Sequence, residues 1–444
     1  MLVGKLISRS LITNHQSQTQ SMKHLLSALF LFTSLAIFAQ DENLRYDDYI
    51  YKNNIKTVQF HIDGLMTSYP IIDLGTNAAL VLSFDDIDAD VKNYTYTLVH
   101  CDQDWRPSNL SEMEYIDGFV EDRIDAYEFS FKTITPFTHY RLYLPNQNQA
   151  FTKSGNYLLK VYEDEGEKTL AITRRFVVVE PVVRIAPQMV RPSTVSKMRT
   201  HQELDFVVDF DRLNIRSPQQ EVRATVLQNG RWDNAVYNVA PLFFRGTQLI
   251  FDYQDKIVFP AGKEFRYLDL RSLRTRSENI AEIQQLNNTI DVLLYKDEKR
   301  FDKVYLNRRD LNGQFVIESF DQQDYELSGN YADVLFTLYS PEPLYDYDIY
   351  LFGELSDWRA DERFKMAYNN SVNGYVAKVK LKQGYYDYAY AAVKRDAKQK
   401  TPDLGEIEGH WYETENQYTV LIYYRPFGER YDRVIGAVTF TSTF

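Results

Sequence analysis

The chain has 444 residues, with 62 acidic side chains against 50 basic ones and a formal net charge of −12. An acidic balance of this size argues against nucleic acid and anionic lipid surfaces as partners, because phosphate recognition needs a clustered positive field. The single cysteine, Cys101, excludes an internal disulfide, so the fold must be held by its core, and the length makes roughly two to four ordinary domains.

At the N-terminal end, Met22 is the expected start of an export signal. Lys23 and His24 form a short basic region, Leu25 to Phe38 are apolar, and Ala36 and Ala39 suit cleavage near Ala39–Gln40. The apolar run is too short to span a bilayer, and no cysteine follows it to carry a direct lipid anchor. Removing this 1–39 segment takes away Lys5, Arg9 and Lys23 but no acid, which leaves a charge of −15.

Beyond the signal the dominant pattern has period two. Examples are Val58, Phe60 and Ile62; Leu80, Leu82 and Phe84; Tyr94, Tyr96 and Leu98; Leu204, Phe206 and Val208; Val334, Phe336 and Leu338; and Tyr418, Val420, Ile422 and Tyr424. Such alternation puts one set of side chains on a buried sheet face. Asn229-Gly230, Asn312-Gly313 and Asn373-Gly374 supply hairpin chemistry, since Asn-Gly accepts the positive φ of tight turns. The predicted fold is mainly β: tandem antiparallel immunoglobulin-like sandwiches with few short helices. Ser277 to Gln285 is the best helix candidate, with Ser277 as N-cap and Glu278 in the first turn.

Breaks at Glu180-Pro181 and at Glu318 to Gln323 predict three modules, at 41–181, 182–318 and 319–444. The closing alternation Val438, Phe440, Ser442, Phe444 would also suit an outer-membrane barrel. Against that, Asp346 and Asp348 interrupt Tyr345, Tyr347 and Ile349 where a lipid-facing band would have to be continuous.

Motifs of the common chemistries are missing. His61, His100, His139, His201 and His410 show no metal-ligand spacing, and there is no Gly-x-Ser-x-Gly elbow and no phosphate-cradling glycine loop. We expect no catalytic residue, metal or cofactor. Asp86, Asp88 and Asp90 alternate as Ca²⁺ ligands can, yet the glycine and distal glutamate of a calcium loop are absent, so a solvated acidic turn is expected. Cys101 reads as a small buried apolar side chain, and His100 to Trp105 as a strand end and turn anchored by Trp105. A carboxylate pair for glycoside hydrolysis is neither indicated nor excluded. Arg266, Arg271, Arg274 and Arg276 crowd one short segment. They are either a partner-binding cluster, since arginine is enriched at interfaces, or surface ion pairs with Asp269 and Glu278.

Two resemblances add to this reading. Leu351-Phe352-Gly353-Glu354-Leu355-Ser356-Asp357-Trp358, with Met366, Gly374 and Val379 to Tyr388, resembles the immunoglobulin-like domains of the glycogen-binding and amylase N-terminal type. That likeness implies a sandwich with Trp358 as a sugar-stacking residue, although the second tryptophan of the family's platform is missing. A broader resemblance rests on His100-Cys101-Asp102-Gln103-Asp104-Trp105-Arg106-Pro107-Ser108, Glu114 to Phe119, Thr135 to Tyr140, Leu227 to Asn234, Phe259 to Arg266 and Leu270 to Ser277. These segments are similar to the plug proteins of the type IX secretion system. That resemblance implies a periplasmic protein on the inner side of the outer membrane, whose partner is the system's large β-barrel translocon. An exported carbohydrate-binding protein is the alternative, and an enzyme of unfamiliar type is a third possibility.

Overall fold

Residues 44–443 are described by the computed structural model, and the expected export signal lies outside them. The alternating strands assemble as the pattern requires. Ile55–Ile62, Leu80–Asp86, Thr138–Leu144 and Ala126–Phe129 form one antiparallel sheet, joined in that order. A second sheet runs Tyr49–Ile50, Lys168–Val179, Gly155–Asp164, Tyr94–Cys101, Glu121–Arg123, with Ile71–Asp73 added in parallel to Lys168–Val179. Leu80, Leu82 and Phe84 of the first sheet share one core with Tyr94, Tyr96, Leu98, Tyr157 and Phe176 of the second. Each of these alternations thus has a buried face, and the strands of this first sandwich run from Tyr49 to Val179.

The second body is not continuous in sequence, and the third is inserted within it. The strand Val222–Gln228 is buried almost throughout and needs partners on both sides. One is the hairpin strand Arg231–Val239, and Asn229-Gly230 turns between them with φ of 54° and 67°. The other is Gln417–Tyr424, which pairs Tyr418 with Gln228 and Ile422 with Ala224, and Arg433–Thr441 completes that sheet. It packs on a sheet of Arg184–Val190, His201–Asp209, Gln248–Phe251 and Phe243–Arg245. The third body combines Arg266–Asp269, Ile280–Gln285 and Ile290–Leu294 with the strands from Tyr331–Tyr339 to Gly384–Lys394. The expected division near residue 318 therefore runs through the sheets rather than between them, because a doubly buried central strand recruits its neighbour from the far end of the chain.

The helix expected at Ser277 to Gln285 is corrected. Ile280–Gln285 is a strand, paired antiparallel to Ile290–Leu294 through a turn closed by the Leu286 amide on the Thr289 carbonyl. Ser277 caps nothing; its hydroxyl donates to the Asp269 carbonyl at 2.9 Å. The helices described are single turns, Glu112–Tyr115, Pro218–Glu221 and Tyr325–Ser328. No helix among the described residues is long and apolar enough to cross a membrane.

Candidate functional site

The distinctive sequence motifs converge on the junctions between bodies. In His100 to Trp105, His100 is buried, held between the Ser108 hydroxyl at 2.8 Å and the Ser154 carbonyl at 3.1 Å. Burial pushes its imidazole down to about 4, so the ring is neutral and donates to Ser154. Cys101 is fully buried, as expected, and burial raises its thiol to about 12. The turn that follows grips the C-terminal hairpin: Asp102 accepts from the Asp432 amide at 3.1 Å and from Arg425 at 3.1 Å, while Asp432 accepts from the Gln103 amide at 2.9 Å. Trp105 adopts a φ of 64° and meets Trp232 edge to face at 4.8 Å, with the Arg175 guanidinium 4.4 Å from its ring.

A second junction is built on charge. Asp85 is wholly buried and accepts three bonds, from His139 Nδ1 at 2.6 Å, Tyr331 at 2.6 Å and Lys382 at 2.7 Å. Burial opposes its ionisation, but Lys382 and His139 outweigh that and hold the carboxyl below its ordinary value. Lys382 also donates to the Glu326 carbonyl at 2.6 Å and sits 4.0 Å from the Phe137 ring. Farther along, Arg174 reaches Asp357 at 3.0 Å.

The arginine cluster separates by environment. Arg266 is 8% exposed, with bonds to Glu408 at 3.0 and 3.1 Å and to Asp297 at 2.7 Å. Burial opposes the charge on Glu408, yet Arg266 and Arg300 bring its carboxyl down to about 2. Arg266 is therefore an interior tie and presents no surface to a partner. Arg271 is half-buried, forked onto Asp269 at 2.9 and 2.8 Å and joined to Glu318 at 3.1 Å. Glu278 bonds the Tyr267 hydroxyl at 2.6 Å rather than an arginine of the cluster. Arg274 and Arg276 are exposed; Arg276 donates to the Ala281 carbonyl at 2.6 Å, and Arg274 has no ion-pair partner among the described residues.

Trp358 lies half-buried, at a φ of 55°, edge-on to Phe265 at 5.8 Å and Phe352 at 5.6 Å, with the Arg231 guanidinium 5.3 Å from its ring. Its far edge fills the space left by Gly313, where an added Cβ would come within 2.3 Å. The acidic turn gathers on one cation: Lys92 pairs with Asp86 at 3.0 Å, with Asp88, and at 3.9 Å with Asp90.

Comparison with known proteins decides the family. A model described as the type 9 secretion system plug protein first domain matches residues 55–180. A solved structure of a hypothetical protein from Parabacteroides merdae ATCC 43184 is 35% identical, with a TM-score of 0.85, over 90% of this chain and all of that one. The chain belongs to the type IX secretion system plug family. No curated protein matches it. Membership assigns the chain a role in type IX secretion, in a family of secretion-system plug domains rather than enzymes. Within this plug-family chain the matched segment carries both His100 to Trp105 and Asp85. The family-like motifs are thus those that lock the first sandwich onto the rest, a role their polar, functional-looking composition did not announce. The partners of Asp85 carried no local signal, since Lys382 is 297 residues away.

Proposed function

We propose that the chain is a periplasmic plug that binds and seals the inner opening of the outer-membrane β-barrel translocon of type IX secretion. Family membership carries this reading. The way the bodies are tied supports it. Closing a wide opening calls for a body that resists deformation; here the second body is closed by strands from the far end of the chain, and the first and third are pinned to each other by ion pairs at their junction. Sealing also requires an interface of standard size or larger, anchored by arginine and aromatic side chains. Arg274 and Arg276 are available for that contact, as are the exposed Phe119, Phe129 and Phe131 of the first sandwich.

The test is affinity capture from solubilised outer membrane, with the attached barrel identified by mass. The chain is expected to retain the translocon, and the double reversal Arg274→Glu with Arg276→Glu to reduce the yield. Capture of no barrel would overturn the plug reading, and undiminished capture by the double variant would remove the arginine contact.

A further inference from the structure

A cavity of about 260 Å³ lies between the strand Ile55–Ile62 of the first sandwich and the strand Gly374–Lys382 of the third body. Val58, Phe315, Phe364 and Leu381 give it an apolar wall. Five cations, Lys56, Arg363, Lys378, Lys380 and Lys382, also line it, in a chain of net charge −12.

Four of the five are committed elsewhere. Arg363 forks onto Asp361 at 2.9 and 2.8 Å, Lys378 reaches Asp291 at 3.1 Å, Lys380 reaches Asp333 at 3.0 Å, and Lys382 holds Asp85. Lys56 has no hydrogen-bond or ion-pair partner among the described residues. Burial, then the like charges of Arg363 and Lys380, hold its ammonium below the ordinary lysine range. The two acids on the wall do not relieve it. Asp357 is engaged by Arg174, while Glu354 accepts from the Phe315 amide at 2.9 Å and is raised by burial to about 7.

The backbone goes to some expense to place Lys56 there. Thr57, a β-branched residue, sits at a φ of 52°, and the strand register slips between Lys56 and Gln59. A left-handed conformation is costly for such a residue and persists only where its surroundings enforce it. A bulge re-aims side chains. Here it sends the Thr57 hydroxyl to Tyr331 at 2.7 Å and leaves Lys56 on the cavity.

We propose that this cavity binds a small organic carboxylate, with its head group among Lys56, Arg363 and Lys380 and its apolar body against Val58, Phe315, Phe364 and Leu381. An uncompensated cation in a partly buried cleft is unfavourable, and a bound anion reduces that cost while an apolar tail fills the remaining volume. An apolar cavity of about 150 Å³ takes benzene, so this one suits a ligand of about ten heavy atoms. The inference is independent of the plug reading and survives its failure.

The experiment is calorimetric titration of the mature chain with 3-phenylpropionate and with its neutral isostere 3-phenyl-1-propanol, alongside thermal unfolding. The acid is expected to bind one to one and raise Tm, and the alcohol to bind at least tenfold more weakly. Lys56→Met should fold, show a Tm at or above the wild type, and lose at least tenfold in affinity for the acid; Lys56→Arg should retain it. A short peptide ending in phenylalanine, compared as free acid and as amide, separates the sources: binding of the free acid alone points to a chain end, and failure of both peptides to a free small molecule. Equal binding of acid and alcohol, absence of acid binding, or undiminished binding by Lys56→Met overturns the proposal. Should Lys56→Met fail to fold, the comparison of acid with alcohol on the wild-type chain still decides.

Discussion

Lys382 and Asp85 face each other at 2.7 Å across 297 residues of sequence, and neither is more than 1% exposed at its side chain. Breaking such a pair from one side strands a buried charge, which costs about 3–5 kcal/mol, whereas replacing both partners costs far less. Lys382→Met should lower stability by about that amount, and the double variant Asp85→Asn with Lys382→Met should recover part of the loss. Urea unfolding monitored by tryptophan fluorescence reads both, and a double variant no better than the single one would contradict the account.

The arginines of one sequence cluster should behave in opposite ways. Arg266→Ala leaves Glu408 buried with only Arg300 to compensate it, so a loss of about 3–5 kcal/mol is expected. Reversing the exposed Arg274 and Arg276 should change stability by no more than about 0.5 kcal/mol while reducing translocon capture. Thermal unfolding of the two variants beside the capture assay separates a folding defect from a contact defect.

Trp105 is 3% exposed and carries the contact between the first sandwich and Trp232. Trp105→Ala should cost about 3–5 kcal/mol. Because the residue sits at a junction rather than in a sandwich core, the loss should also appear as faster limited proteolysis between the bodies. Fragments ending near residue 180 in gel analysis are the expected product.

Local physics was legible where it acted alone. Period-two runs such as Leu80, Leu82 and Phe84 gave strands and a buried face, Asn229-Gly230 gave its hairpin, and the apolar approach to Cys101 gave a buried thiol. What failed was non-local. Nothing near Val222 shows that its second neighbour is Tyr424, so the middle module seemed contiguous when it is split around the third. Ser277-Glu278 imitates a helix start, but Ile280 and Ile283 lie along an irregular hairpin whose pairing with Ile290–Leu294 outweighs that propensity. The arginine cluster was visible as composition. Only the fold shows that Arg266 points inward to Glu408, a residue 142 positions away. Lys56 carried no sequence signal at all, because its isolation depends on which charges the fold leaves around it.

Asp387 is fully buried beside Asp310. Burial first and the neighbouring carboxylate second raise it to about 8, against the amides of Leu311 and Gly313, which bond its Oδ2 and favour the charged form. An acid raised in the folded state binds its proton more tightly there than in the unfolded chain. Its contribution is therefore complete below about pH 4 and is lost as pH climbs towards 8. Asp387→Asn keeps an acceptor for the two amides and cannot ionise. The variant should match the wild type near pH 4 and exceed it by about 5 kcal/mol at pH 9. Carboxylates away from the pair, among them Glu264 raised to about 7 and Glu408 lowered to about 2, titrate in both proteins and cancel in the difference. Asp310 titrates together with Asp387, so the difference belongs to the pair. Urea midpoints at pH 4 and pH 9 measure it, and a gap that does not widen with pH would show that Asp387 does not titrate in this range.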